Sequence, residues 1–468
     1  MATRLEHDPL GARQVPADAY YGAQTDRAVE NFPISGLRAP AVLVTATMYV
    51  KKAAAEANVA LGRLTPEVGR AIAHAADEVI GGALRDQFVV DVYQAGAGTS
   101  HNMNANEVLA NRAAELLGLP RGRYDVIHPN DHVNMGQSTN DVYPTATRIA
   151  CLLLTRDVLA AARDLAGAFT RKSDEFADVL KVGRTHLQDA VPITLGQELG
   201  GYAACLETAA GGVEAASRGL LELNLGATAV GTGLNAGDDY ARLAVAALAR
   251  ETSLPVVPAA NRFRVTQSMG EVLAWSGALR RLAVELDKIA SDLRLLSMGP
   301  RGGLAEIALP AVQPGSSIMP GKVNPSIPEM VNQVCYQVAG CDAAVSAACA
   351  AGQLELNVMM PVIAWNALHA AAILAAAMRV LRLRTVEGLT ADRDRCRELL
   401  DRSTAAATAL SPYLGYEATA EIAKASVRTG RPIRELVLER GLIDEARLDE
   451  ILSVEAMTAP GIPGRRSG

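Results

Sequence analysis

Apolar residues recur at helical spacing along most of this chain, and a few polar, glycine-rich stretches interrupt them. The first pattern, Ala39 to Leu61, has the three-to-four-residue period of a helix with one buried face. Thr65-Pro66-Glu67 opens a second helix, with Thr65 as N-cap and Pro66 in the first turn, where its missing N–H is no loss. Gly81-Gly82 breaks it, and a short helix is expected over Asn104–Leu117, ended by Gly118. Long helices are then expected over Asp141 to about Asp178, Pro192 to about Leu223, Val265–Met298, Pro328 to about Leu354 and Asn357 to about Arg384. Residues 1–38 read as an irregular lead-in, and 181–191 as a break between helices. After Glu387 the helices shorten and gain charge up to Met457, and the tail TAPGIPGRRSG is expected to be disordered.

This pattern predicts an all-α protein. Five long helices between about 141 and 386 cannot all bury their apolar faces in one slender bundle, so an oligomer built through that bundle is expected. The division expected along the chain is an N-terminal helical domain (1–140), a central long-helix domain (141–390) and a small C-terminal helical domain (391–468). Composition agrees, with 49% hydrophobic but only 4% aromatic residues, a balance that favours helices over a sandwich or barrel. The net charge of −6 and the lack of any Lys/Arg run exclude a nucleic-acid partner, so an anionic substrate has to be held by local donors. Six scattered cysteines without CxxC read as reduced, buried thiols, and seven histidines give no metal spacing, so neither metal nor cofactor is expected. With no apolar leader and no run of 18 apolar residues, no membrane partner is expected and the location predicted is cytoplasmic. GTG at 231–233 lacks the strand–turn–helix setting of a dinucleotide loop and is set aside.

The chemistry concentrates in PGSSIMPGKVNPSIPE (Pro314–Glu329), which holds paired hydroxyls, one ammonium, one amide and backbone-freeing glycines. Pro314, Pro320 and Pro325 keep most of it out of helix or central strand, and long helical patterns bracket it. Such a loop on a rigid frame suits a hydroxyl beside fixed donors for an oxyanion. Composition alone equally allows a long helix-to-helix connection. The wording of Gly315–Pro325 resembles the GSS-x-MP-x-K-x-NP signature of the fumarase/aspartase superfamily at every fixed position. GQSTNDVYP (Gly136–Pro144) and GRTHLQDAVPITLGQE (Gly183–Glu198) resemble the family's other two conserved regions, so the likeness spans nearly the whole chain.

The resemblance implies a three-domain fold with a central five-helix bundle, a homotetramer whose bundles merge into a twenty-helix core, and active sites assembled from three subunits. It implies anti-elimination from a succinyl-type dicarboxylate to give fumarate through an aci-carboxylate, without organic cofactor or required metal. On this reading Ser316 is the base, acting as an alkoxide. Lys322 and Asn324 serve the carboxylate that takes up charge, joined by Thr185 and His186, and Glu329 is placed to support that histidine. Thr99, Ser138, Thr139 and Ser317 hold the other carboxylate, and Asn140 binds the leaving amino group. Ser100 and His101 flank the site without a role, and His128, Asn130 and Asp131 resemble a secondary anion site of fumarases. Taken without the resemblance, each Ser, Thr or Asn here is equally a cap or turn residue.

For the leaving group, GTSHNMN, QSTND, SIPEMVNQV, AAGQLELN and the stretch DPLGARQVPADAYYGAQTDRAVENF side with ammonia-eliminating members. The activity implied is reversible loss of ammonia from L-aspartate. Water elimination as in fumarases is the alternative, and a catalytically silent crystallin-like relative is a remote one. His186 stands where some members have glutamine.

Overall fold

The computed structural model describes residues 2–465, and its elements are overwhelmingly helical. A hairpin of β1 (Thr3–Asp8) and β2 (Gly11–Pro16) leads into α1 (Ala23–Asn31), α2 (Ala41–Ala60), α3 (Pro66–Ile80) and α4 (Thr99–Leu116). The long α5 (Thr139–Glu175) is followed by a second hairpin, β3 (Leu180–Thr185) and β4 (Gln188–Thr194), and by α6 (Leu195–Ser217). Next come β5 (Glu222–Leu223), α7 (Asp238–Thr252), β6 (Val257–Pro258), α8 (Arg262–Gln267) and α9 (Gly270–Leu296). β7 (Ile307–Ala308) precedes α10 (Ser326–Ala350) and α11 (Met360–Leu381), and β8 (Thr390–Ala391) pairs back with β7. The chain ends in short helices: α12 (Arg393–Arg402), α13 (Ala407–Leu414), α14 (Tyr416–Thr429), α15 (Ile433–Glu439), α16 (Glu445–Ile451) and α17 (Val454–Thr458).

The chain divides into two compact units, and α5, α6, α9, α10 and α11 each contribute residues to both. The first unit takes Met1–Ala160, Ala210–Ala283 and Cys335–Ala375. Its best-defined core packs α2, α3 and α4 through Met48, Ile72, Val79, Leu109 and Ile127. Two large buried polar side chains there find partners: the Trp275 indole donates to Thr155 Oγ1 at 2.9 Å, and buried Arg148 meets Glu271 at 3.2 Å. The second unit takes Ala161–Ala209, Val284–Val334 and Ala376–Gly468. In it α13 to α16 close a separate apolar core around Leu410, Ile422, Val437 and Leu448, while Leu180 and Val182 of β3 pack against Leu400.

Several elements differ from the expected pattern, each for a local reason. The lead-in is not irregular, because Arg4 reaches across to the carbonyls of Pro16, Ala19 and Tyr21 and ties the first hairpin down. Thr65 caps α3 as expected, accepting from Val68 N at 3.3 Å. The helix α4 starts five residues early, since its first turns are polar and carry no apolar signal. Pro192 lies in β4, opposite Val182, rather than opening a helix. Ser268 adopts an extended conformation and splits the helix expected over 265–298 into α8 and α9. α7, which begins with Asp238 and Asp239 in its first turn, was not expected at all.

Three broader expectations also shift. Thr458 ends α17 and residues 459–465 form bends and turns, with the Tyr413 hydroxyl donating to Pro463 O at 2.5 Å, while the last three residues of the tail lie outside the described residues. The cysteines form no disulfide among the described residues, but Cys205 is exposed and Cys349 half-buried. The segment Met360–Val386 is long and apolar enough to cross a membrane by length and composition, with an 18-residue window of mean hydropathy 1.5, yet 61% of that window is buried within the protein.

Candidate active site

The predicted site residues fall into two groups, one in each unit. In the first unit they sit at the starts of two helices. Thr99 opens α4 and donates from Oγ1 to Gly96 O at 2.5 Å. Ser138 caps α5: its backbone N–H donates to Asp141 Oδ1 at 2.9 Å, and its own Oγ accepts from Asn140 N at 3.2 Å. Thr139 is buried and accepts from Asn102 Nδ2 at 3.1 Å. Unpaired N–H groups at such helix starts make a ready anion site, which suits a substrate carboxylate. Asn140 donates from Nδ2 to Ala229 O at 2.8 Å. Among the described residues nothing donates to its Oδ1, which stays half-exposed as an acceptor.

Behind these residues lies a buried polar layer that sequence reasoning missed. Lys51 of α2 is wholly buried and donates to Asn134 Oδ1 and Gln137 Oε1, both at 2.9 Å, bracing the turn that leads into Ser138. Asp141 is also fully buried and accepts from Ser138, Gly226 and Thr228 N–H groups. Burial pushes the Lys51 ammonium down and the Asp141 carboxyl up, each partly offset by the other's charge. His101 is pushed down to about 4, chiefly by burial and then by Lys51, so it is neutral near pH 7. The single proton of Thr47 Oγ1 goes to Leu43 O at 2.8 Å, so the 2.9 Å contact with His101 is donation from Nε2–H. That places His101 as packing under the site. The signal for Lys51 was one cation on the apolar side of an alanine-rich helix.

In the second unit, Thr185 and His186 stand at the tip of the β3–β4 hairpin. Thr185 pairs with Gln188, and the two-residue loop His186-Leu187 has left-handed φ values of 53° and 61°. Such backbone strain on non-glycine residues points to function. The hairpin base is clamped by the wholly buried Glu306, which accepts from Arg184 at 2.9 and 3.0 Å and pairs with Lys181 at 3.2 Å. Glu306 was likewise missed, since one glutamate between glycine-rich residues carries no pattern.

The signature loop is a closed ring of short contacts. Gly315 N donates to Lys322 O at 2.8 Å and Asn324 Nδ2 to Gly315 O at 2.8 Å. A side chain on Gly315 would collide with the Lys322 carbonyl, so this crossing needs glycine. Ser316 Oγ accepts from Ile318 N and Met319 N at 3.2 and 3.1 Å, so its oxygen already faces two backbone donors. The Ser317 hydroxyl and the Lys322 ammonium have no side-chain partner among the described residues, and both are exposed. Lys322 and Asn324 border a cleft of 870 Å³ that also meets Arg294 of α9. His186 and Glu329 are exposed and make no hydrogen bond or ion pair with each other. Among the described residues no group of three or more His, Cys, Asp or Glu is placed to hold a metal ion.

Comparison with known proteins gives a consistent picture. A family model described as "Lyase" matches residues 11–340, and one described as "Fumarase C C-terminus" matches 407–459. The chain is 48% identical over 463 residues to an aspartate ammonia-lyase of a Bacillus species, covering 99% of each. It matches a solved fumarate lyase/delta crystallin of Brucella melitensis, bound to cobalt, with TM-score 0.95 and 51% identity, over 98% of this chain and 100% of that one. A solved class II fumarase of Schistosoma mansoni matches with TM-score 0.94 and 37% identity, over 98% of this chain and 100% of that one.

Proposed function

The chain belongs to the fumarase/aspartase superfamily and is a lyase acting on a dicarboxylate; from that premise we propose that it is an L-aspartate ammonia-lyase, forming fumarate and ammonia reversibly. The observation that carries the choice of leaving group is the 48% identity to an aspartate ammonia-lyase over 99% of each chain, and the orientation of Asn140 agrees with it. One of the two Asn140 amide N–H groups is bonded to Ala229 O, which leaves Oδ1 as an acceptor for a donor on the leaving group, and a substrate ammonium presents three such donors. A second reading, elimination of water from L-malate, has the likeness to a class II fumarase in its favour.

In the mechanism, Ser316 takes the proton from the carbon that neighbours the amine-bearing carbon. The electron pair moves into the adjacent carboxylate, giving an aci-carboxylate dianion faced by Lys322, Asn324, Thr185 and His186. Collapse of that dianion forms the double bond and expels the protonated amino group as ammonia. A serine hydroxyl is a weak acid, so its oxyanion needs fixed donors and a nearby cation. The two backbone N–H groups on Ser316 Oγ supply the first, and loop closure would bring in the second. Thr99, Ser138, Thr139 and Ser317 hold the non-reacting carboxylate, and Glu329 supports His186.

The working form is a cytoplasmic homotetramer with a twenty-helix core and composite sites. Support for shared sites comes from the exposure of His186, Ser317, Lys322 and Glu329, none of which has a side-chain partner among the described residues. The three-domain division is supported at its ends, where separate apolar cores lie wholly within 1–140 and 391–468. With fumarate and ammonium supplied together, the protein should form L-aspartate, and with fumarate in ammonium-free water it should form no malate. Malate as the product would transfer the reading to fumarase.

A further inference from the structure

The segment between β5 and α7 is bonded to the start of α5 at four points. Asn224 Nδ2 donates to Asn140 O at 3.1 Å, and Gly226 and Thr228 N–H groups donate to Asp141 Oδ2 at 3.0 and 2.9 Å. The fourth bond is Asn140 Nδ2 to Ala229 O at 2.8 Å. The other oxygen of Asp141 serves the α5 cap through Ser138 N, so a capping role alone leaves Oδ2 unexplained. Thr228 is held in a left-handed conformation, φ 56°, which turns the next carbonyl, that of Ala229, and a β-branched residue adopts it only under constraint. Asp141 supplies that constraint.

We infer that Asp141 is a positioning residue: by gripping Gly226 and Thr228 it aims the Ala229 carbonyl at Asn140, fixing that amide with its oxygen toward the leaving group. The site is thereby set to read a leaving group that donates hydrogen bonds. This rests on the ammonia-lyase reading and adds to it the device that holds the Asn140 amide toward the leaving group. Only aspartate fits the role. Asparagine at 141 turns one acceptor oxygen into a donor facing N–H groups, and glutamate is a methylene too long for a site with no exposed surface. Without the grip, the Ala229 carbonyl is released and the Asn140 amide is free to rotate.

The test compares two constants in Asp141→Asn: KM for L-aspartate, and the inhibition constant of succinate, which has both carboxylates but no amino group. The ratio of the first to the second should rise roughly ten- to a hundredfold, the scale of losing one hydrogen bond to a charged group. A merely structural residue would move both constants together and leave the ratio unchanged, which overturns the inference. Should Asp141→Asn fail to assemble, Gly226→Ala decides, because its new methyl would lie 2.5 Å from Ala241 Cβ and displace the same segment without altering any charge. It should raise the same ratio, and an unchanged ratio would overturn the inference. A wild-type protein silent on L-aspartate would sink the ammonia-lyase reading and this inference together, whereas an active wild type with unchanged ratios in the variants sinks this inference alone.

Discussion

Ser316→Ala should lower kcat by about 10²- to 10⁴-fold, with the oligomer intact and the inhibition constant of succinate changed little. Ser316 sits in an exposed loop, and its hydroxyl accepts only from Ile318 and Met319 N–H groups three residues away or less. Losing those bonds costs the loop little, because the ring closure runs through Gly315, Lys322 and Asn324 instead. A deficit confined to kcat is therefore the signature of a group that acts on the reacting proton. Wild-type-like turnover in the alanine variant would remove Ser316 from the chemistry and leave the loop as a binding element only.

Glu306→Gln should destabilise the second unit by about 3–5 kcal/mol, the scale of breaking a buried pair by removing one partner. Glu306 has no exposed surface and faces two cations, Arg184 through both of its oxygens and Lys181 through one. Lys181 retains Glu198 at 2.8 Å, but Arg184 is left with weaker contacts, to Val182 O at 3.4 Å and to the exposed Asp189 at 4.0 Å. Glutamine keeps one acceptor and offers Arg184 a donor in place of the other, so the fork is broken. Because Arg184 precedes Thr185 and His186, activity should fall with stability. A thermal midpoint within a degree or two of wild type would show that the clamp does not hold the hairpin.

The long helices were legible because their apolar period is sustained over many turns, and the signature loop because Pro314, Pro320, Pro325 and two glycines punctuate it. The β3–β4 hairpin was not. Its turn is His186-Leu187 rather than an Asn-Gly or Asp-Gly pair, and Pro192 imitates a helix start while sitting in a strand. Local propensity lost there to the clamp from Glu306, a residue more than a hundred positions away in the chain. The same reasoning applies to the site. Residues with a motif, such as Ser316 and Asn140, could be named from their neighbours in sequence. Lys51, Asp141 and Glu306 act from beneath, through burial and hydrogen bonds that only the folded chain brings together. The early start of α4 belongs to the same class, since polar residues at a buried helix start carry no amphipathic signal.

The most direct test of the central claim is the initial rate of fumarate formation, followed by its ultraviolet absorbance, with L-aspartate and L-malate offered in parallel to the purified protein. The account predicts turnover of L-aspartate and none of L-malate. Turnover of L-malate alone would contradict it, and would mean that the outward-facing oxygen of Asn140 receives a hydroxyl rather than an ammonium.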